Sequence, residues 1–233
     1  MAELLGLGLF ESTSDAASGE VDPVSKAIAA LGLRGLRPAS RATRIACLAA
    51  AEAIQYPSVP PAEPERRAVV LGTRYASLEP LVEFNRSGAI DGPTLVNPAS
   101  FPNVVVNAHA AYVAMTFQFS GPNITLCGER AGVDAIALGL DLLALGRADV
   151  VLAGGVEATG PNVDEGIRRA GGVAPLEAAA FVLLGRDQSR HRGEPGNPIV
   201  SAIARAAQDT DGAAAGARSV ILALRSGVLS IAR

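Results

Sequence analysis

Tryptophan is absent from this chain of 233 residues, lysine occurs once (Lys26), and cysteine and histidine occur twice each. Each scarcity excludes something. Aromatic residues make up 4% of the chain and hydrophobic residues 49%, so the core must be built from Ala, Val, Leu and Ile. Such a core suits close packing of helices on a sheet. Cys47 and Cys127 are too few to frame a disulfide-stapled domain, and neither stands in a Cys-x-x-Cys or Cys/His ligand spacing. His109 and His191 are far apart in sequence, and neither a metal nor a cofactor is expected. A formal net charge of −3 lacks the basic field that phosphate binding needs, which argues against nucleic acid as a partner. The run LLGLGLF near the start is too short for a membrane span and has no basic flank, so it is expected to be a first strand. A cytoplasmic protein without a membrane span is the expectation. Asn123-Ile124-Thr125 matches a glycosylation sequon, but its place in an apolar strand removes its weight.

What is present is an alternation of strand and helix patterns over a length that suits one buried core, a single domain over 1–233. Leu4 to Phe10 is expected as a buried strand and Pro23 to Leu31 as a helix. A stronger helix is expected from Ser40 to Ile54, where Ile45, Leu48, Ala49 and Ala53 share one face. YPSVPPAEPERR is a proline-rich surface connector. AVVLGT, residues 68–73, has the look of a central strand covered on both faces. Leu78 to Ser87 is expected to be helical. A further helix is expected to open at Pro102-Asn103 and reach Phe119, with proline near its first turn. Ile124 to Cys127 is a short strand, Val133 to Leu145 a helix, and Val150 to Ala153 a buried strand ending at Gly154-Gly155. A loop is expected around 160–172, then strands at Ala178 to Gly185 and Ile199 to Ala206, and a closing helix from Ser219 to Ile231. The alternation predicts an α/β layered fold with a mostly parallel sheet.

Residues 121–160, GPNITLCGERAGVDAIALGLDLLALGRADVVLAGGVEATG, carry a more specific signal. This strand, tight turn, helix and Gly-Gly strand resemble the nucleophile segment of a β-ketoacyl synthase, of the thiolase superfamily. NPASFPN at 97–103, RADVVLAGGVE at 147–157 and APLEAAAFVLLGR at 174–186 fit the same family in order, and the resemblance covers most of 68–206. It implies a thiolase-like layered fold, here one βα half with a five-stranded sheet between helices. It also implies that both catalytic histidines of a synthase belong to a second half, and His191 cannot be carried over as either.

The resemblance places the nucleophile at the turn after Cys127, and this chain has Gly128-Glu129-Arg130-Ala131 there. A condensing cysteine works as a thiolate near a helix N-terminus. The family frame puts Arg130 at that position, or Ala131 if the gap is placed differently, and neither can attack a thioester. Cys127, three residues upstream, is a candidate substitute, or a small buried hydrophobe at a strand end. Glu129 could act as acid or base, pair with Arg130, or cap the next helix. His109, between alanines, is a candidate catalyst or a satisfied interior histidine. Gly128, Arg130, Ala131 and Gly132 form the turn expected to border an acyl pocket. The GERAGVDA segment also resembles the chain length factor of type II polyketide systems, a synthase-like subunit without its cysteine.

In this superfamily the strand before the nucleophile pairs with its counterpart across a dimer axis. The resemblance therefore makes Asn123, Ile124, Thr125, Leu126 and Cys127 the expected dimer interface, and a strand edge left open to water would invite pairing in any case. Dimerisation, as a homodimer or as a heterodimer with an active synthase, is expected. Three functions follow. One is a non-catalytic subunit that pairs with an active ketosynthase and helps position an acyl chain on an acyl carrier protein. The pathway class would be polyketide, aryl-polyene or fatty-acid-type assembly. Another is an acyl-thioester hydrolase, decarboxylase or acyltransferase built on Cys127 or Glu129. The third is a structural homodimeric pseudoenzyme.

Overall fold

Every residue of Arg67–Thr73 (β2) is buried, as a continuous run of branched apolar residues requires of a strand covered on both faces. In the computed structural model, which describes residues 2–12, 22–58 and 62–186, β2 lies inside a sheet of five strands. The others are Ala2–Glu11 (β1), Asn123–Cys127 (β3), Val150–Glu157 (β4) and Ala178–Arg186 (β5), in the order β1-β5-β4-β2-β3. β2 pairs in parallel with β3 and β4, while β5 pairs antiparallel with both β4 and β1. Four strands thus share one direction and β5 alone runs against them. The strand expected at 199–206, the helix expected at 219–231 and His191 lie outside the described residues.

Helices cover both faces of this sheet, giving the expected layered α/β architecture. Arg41–Ile54 (α2) and Ala108–Phe117 (α4) lie on one face, where Ile45, Val113 and Phe117 meet Val69, Leu71, Leu152 and Phe181. Ala131–Ala144 (α5) covers the other, placing Val133 and Ile136 against Val70, Val151 and Val182. Pro23–Ala30 (α1) packs on α2. Ser40 caps α2 by accepting the Thr43 N–H at 3.3 Å. Two glycines of β1 let that strand approach α2, because a Cβ at Gly8 would lie 1.8 Å from the Ala49 carbonyl oxygen.

Three expectations need correction. The helix expected from Pro102 begins at Ala108, and Pro98–Asn103 forms a separate 3-10 segment. Asn103 explains the break: its side chain donates to Pro38 O at 2.8 Å and accepts the Ser40 N–H at 3.0 Å, tying the segment to the start of α2. β4 does not stop at Gly154-Gly155 but runs through both to Glu157, and a Cβ at Gly154 would lie 1.9 Å from Ala180 O on β5. The region 160–172, expected as a loop, holds the helix Pro161–Arg169 (α6). Its partner is Leu78–Ile90 (α3), which supplies the N-terminal cap that a loop reading could not foresee.

Candidate functional site

The carboxyl ends of β2, β3 and β4 converge, and the turns that leave them form the candidate site. Cys127 stands opposite Thr73 in the β2–β3 register. The chain then turns at Gly128, whose φ of +148° favours glycine, and the Gly128 N–H donates to Thr73 O at 3.1 Å. Exposed Arg130 precedes α5 and accepts the Asp134 N–H on its carbonyl at 2.9 Å, while its side chain makes no cap hydrogen bond. Ala131 and Gly132 follow as the first, buried residues of the helix. They rest on β2 so closely that a Cβ at Gly72 would lie 2.1 Å from the Ala131 carbonyl. The helix N-terminus is therefore present with its positive dipole end, its Ala131 N–H donating to Gly128 O at 3.3 Å. The side chains there are a guanidinium and a methyl group.

Glu129 does not cap α5. Its Oε1 pairs with Arg74, in the turn after β2, at 3.0 Å. The Arg74 guanidinium carbon in turn sits 4.7 Å from the centroid of the Tyr75 ring. Beneath this pair lies Glu157, the last residue of β4 and fully buried. Its carboxylate accepts Thr73 Oγ1–H at 2.7 Å, the Arg74 N–H, and the Tyr75 N–H at 3.0 Å. Burial raises the Glu157 carboxyl above the ordinary range, and these hydrogen bonds together with the Arg74 charge oppose the rise. Glu157 thus fixes the backbone from which Arg74 reaches Glu129.

Of the remaining candidates, Cys127 immediately precedes this turn, while His109 is bonded elsewhere. Cys127, considered as a small buried hydrophobe, is exposed. It ends an edge strand whose single neighbour among the described residues is β2, so nothing described covers it. His109 is wholly buried on α4, where Nδ1 lies 2.9 Å from Thr43 Oγ1 and Nε2 lies 2.9 Å from Ser77 Oγ. Burial pushes its imidazole down to about 4, so the ring is neutral. Along β3, Asn123 is exposed, Ile124 and Leu126 are half-buried, and the hydroxyl of Thr125 is shielded yet has no hydrogen-bond partner. Among the described residues, no cluster of His, Cys, Asp and Glu could hold a metal ion, and no helix is long and apolar enough to cross a membrane.

A groove of about 530 Å³ runs from Arg74 and Tyr75 between α3 and α6, lined by Leu78, Val82, Val163 and Ile167 among others. Its wall depends on Glu79, in the first turn of α3. One oxygen accepts Asn162 Nδ2–H at 2.6 Å, and the other accepts the Val163 N–H at 2.8 Å. Sequence reasoning missed Arg74, Glu79 and Glu157. An acid closing the apolar run VVLAGGVE was a usable signal for Glu157, since an ionisable group there must find donors. Nothing local marked the other two.

The family model "Beta-ketoacyl synthase, N-terminal domain" matches residues 11–181. The chain is 34% identical over 92 residues to 3-oxoacyl-(acyl-carrier-protein) synthase 2 of Rhizobium meliloti (strain 1021), a match covering 38% of this chain and 21% of that protein. It therefore spans about a fifth of the length of that curated relative. Among solved structures, the ishigamide ketosynthase/chain length factor is similar with a TM-score of 0.68 at 21% identity, over 97% of this chain and 81% of the other. A ketosynthase in complex with its chain length factor from Xenorhabdus doucetiae gives a TM-score of 0.58 at 15% identity, over 81% of this chain and 58% of the other. At such identities the structural likeness establishes the fold, a thiolase-like ketosynthase fold.

Proposed function

The chain belongs to the β-ketoacyl synthase N-terminal-domain family, and from that premise we propose that it is a non-catalytic, chain-length-factor-like subunit. It pairs with an active ketosynthase and positions an acyl chain carried by an acyl carrier protein, in polyketide, aryl-polyene or fatty-acid-type assembly. The carrying observation is the N-terminus of α5, where exposed Arg130 and buried Ala131 stand where the family resemblance expects a thiol. A protonated guanidinium is no nucleophile, and alanine has no reactive atom. The groove beside Arg74 supports a positioning role over a purely structural one, since a scaffold without an acyl ligand has no need of it. The edge of β3, open among the described residues, supports pairing through Asn123–Cys127. Two of the similar structures, the ishigamide protein and the complex from Xenorhabdus doucetiae, are described as ketosynthase with chain length factor, and that assembly is the model for this part of the proposal.

The test is gentle purification of the tagged protein from its native host, with identification of what accompanies it. A cysteine-bearing ketosynthase or an acyl carrier protein in fixed ratio is the expected result. A homodimer alone would sink the proposal. The exposed thiol of Cys127 gives a second reading, an acyl-thioester enzyme, its one specific observation. Turnover of an acyl thioester that disappears in Cys127→Ala would establish that reading, and unchanged turnover would remove Cys127 from consideration.

A further inference from the structure

The groove between α3 and α6 is lined mostly by apolar side chains, with Arg74, Asn162 and the phenol of Tyr75 as its polar members. Asn162 is already committed, because both its backbone N–H and its Nδ2 donate to Glu79 Oε1. The Glu79 charge is likewise engaged by the donors of Asn162 and Val163. Arg74 is therefore the one cation lining the groove whose partner can be exchanged. That partner is Glu129, which comes from a different turn and is 60% exposed. An ion pair this exposed contributes little to stability, so another carboxylate can take its place at low cost. The guanidinium itself is held ready. The Arg74 N–H is bound to Glu157, and the side chain lies over the Tyr75 ring.

We infer that this groove binds an aliphatic carboxylate. The chain lies along Tyr75, Leu78, Val82, Val163 and Ile167, and the head group takes the place of Glu129 on Arg74. Three observations carry this. Glu129, which does not itself line the groove, shows that the Arg74 guanidinium at its end accepts a carboxylate at 3.0 Å. A volume of about 530 Å³ is within the ordinary range for a small-molecule site. Gly166 lines the groove on α6, and a Cβ built there meets nothing within 4 Å, so the absence of a side chain leaves the trough open. The inference rests on the acyl-positioning reading only for the aliphatic nature of the chain; its ligand is the free acid, not the thioester borne by an acyl carrier protein.

The test is calorimetric titration of the full chain with dodecanoate and, separately, dodecan-1-ol. Dodecanoate is expected to bind about tenfold more tightly, the worth of a charge-assisted hydrogen bond. Arg74→Gln should erase that preference, and Glu129→Gln should tighten dodecanoate alone. Gly166→Leu should weaken both probes. Equal affinity of the two probes for the natural chain overturns the inference, as does a carboxylate preference that survives Arg74→Gln. Arg74 is at the surface, so that variant keeps the question decidable if Gly166→Leu does not fold. Binding is read on the isolated chain and partner recovery in the host. Failure to recover a ketosynthase together with Arg74-dependent binding removes the subunit reading alone, whereas recovery with equal probe affinities removes only this site.

Discussion

Glu79 on α3 accepts the backbone N–H of Val163 on α6 at 2.8 Å, joining two helices far apart in the chain through a single buried carboxylate. The first N–H groups of a helix have no partner within it. Here the cap is supplied by a neighbouring helix, because Gly160 before α6 has no side chain to offer. Glu79→Ala removes this acceptor and leaves buried donors unpaired. A loss of about 2 kcal/mol is expected in urea unfolding, together with loss of the groove wall. Stability within a few tenths of the natural chain would contradict the capping role.

His109 sets a second expectation. Its ring is buried, its hydrogen-bond partners Thr43 and Ser77 are uncharged, and its folded value of about 4 lies below the ordinary 6.5. Between these values the unfolded chain binds a proton that the folded chain refuses, so folding stability must rise with pH. The contribution is complete above the unfolded value and is lost as pH falls toward the folded one. Denaturant midpoints measured at pH 7 and pH 5 should differ in the natural chain and differ less in His109→Gln.

The two thiols should behave oppositely toward an alkylating agent. Cys47 is buried on α2, and burial pushes its thiol up to about 12, so it should remain unmodified until the protein unfolds. Cys127 at the end of β3 is exposed and should react in the folded chain. Protection of Cys127 on adding a ketosynthase partner would place β3 in the shared interface. Full reactivity in a verified complex would exclude that surface.

Gly72 gives a backbone test of the turn. A methyl group there would lie 2.1 Å from the carbonyl of Ala131, which is main chain and cannot rotate aside. Gly72→Ala must push α5 away from β2, at a cost of about 3 kcal/mol. Thermal unfolding checks it, and an unchanged Tm would show that the helix is not seated as described.

Much of this fold was legible in the sequence, because its strands are runs that local pattern identifies. AVVLGT and VVLAGG are apolar over lengths that only a buried strand accommodates, and α2 carries its core face at helical spacing. The turn at Gly128 and the helix after it were legible from the family resemblance. What stayed hidden depends on partners distant in sequence. α6 is polar, with Glu165 pairing to Arg168 and Arg169, and reads as a loop until Glu79 is brought to its start. The exposure of Cys127 depends on β3 being an edge, which no property of NITLC reveals. The Arg74–Glu129 pair joins two turns, and only the parallel pairing of β2 with β3 makes them neighbours.

The pairing of β1 with β5 has a consequence for how the chain reaches this state. Ala2 to Glu11 lie against Arg186 to Ala178, so the first described strand waits for the last described one. Until Ala178 to Arg186 are made, β1 has no described strand to pair with, although α2, on which it also packs, is already there. Contacts of such sequence separation slow folding, because the intervening chain must be ordered before they form. This pairing therefore forms late, and a nascent chain ending before Ala178 presents an apolar strand without the partner strand it has among the described residues.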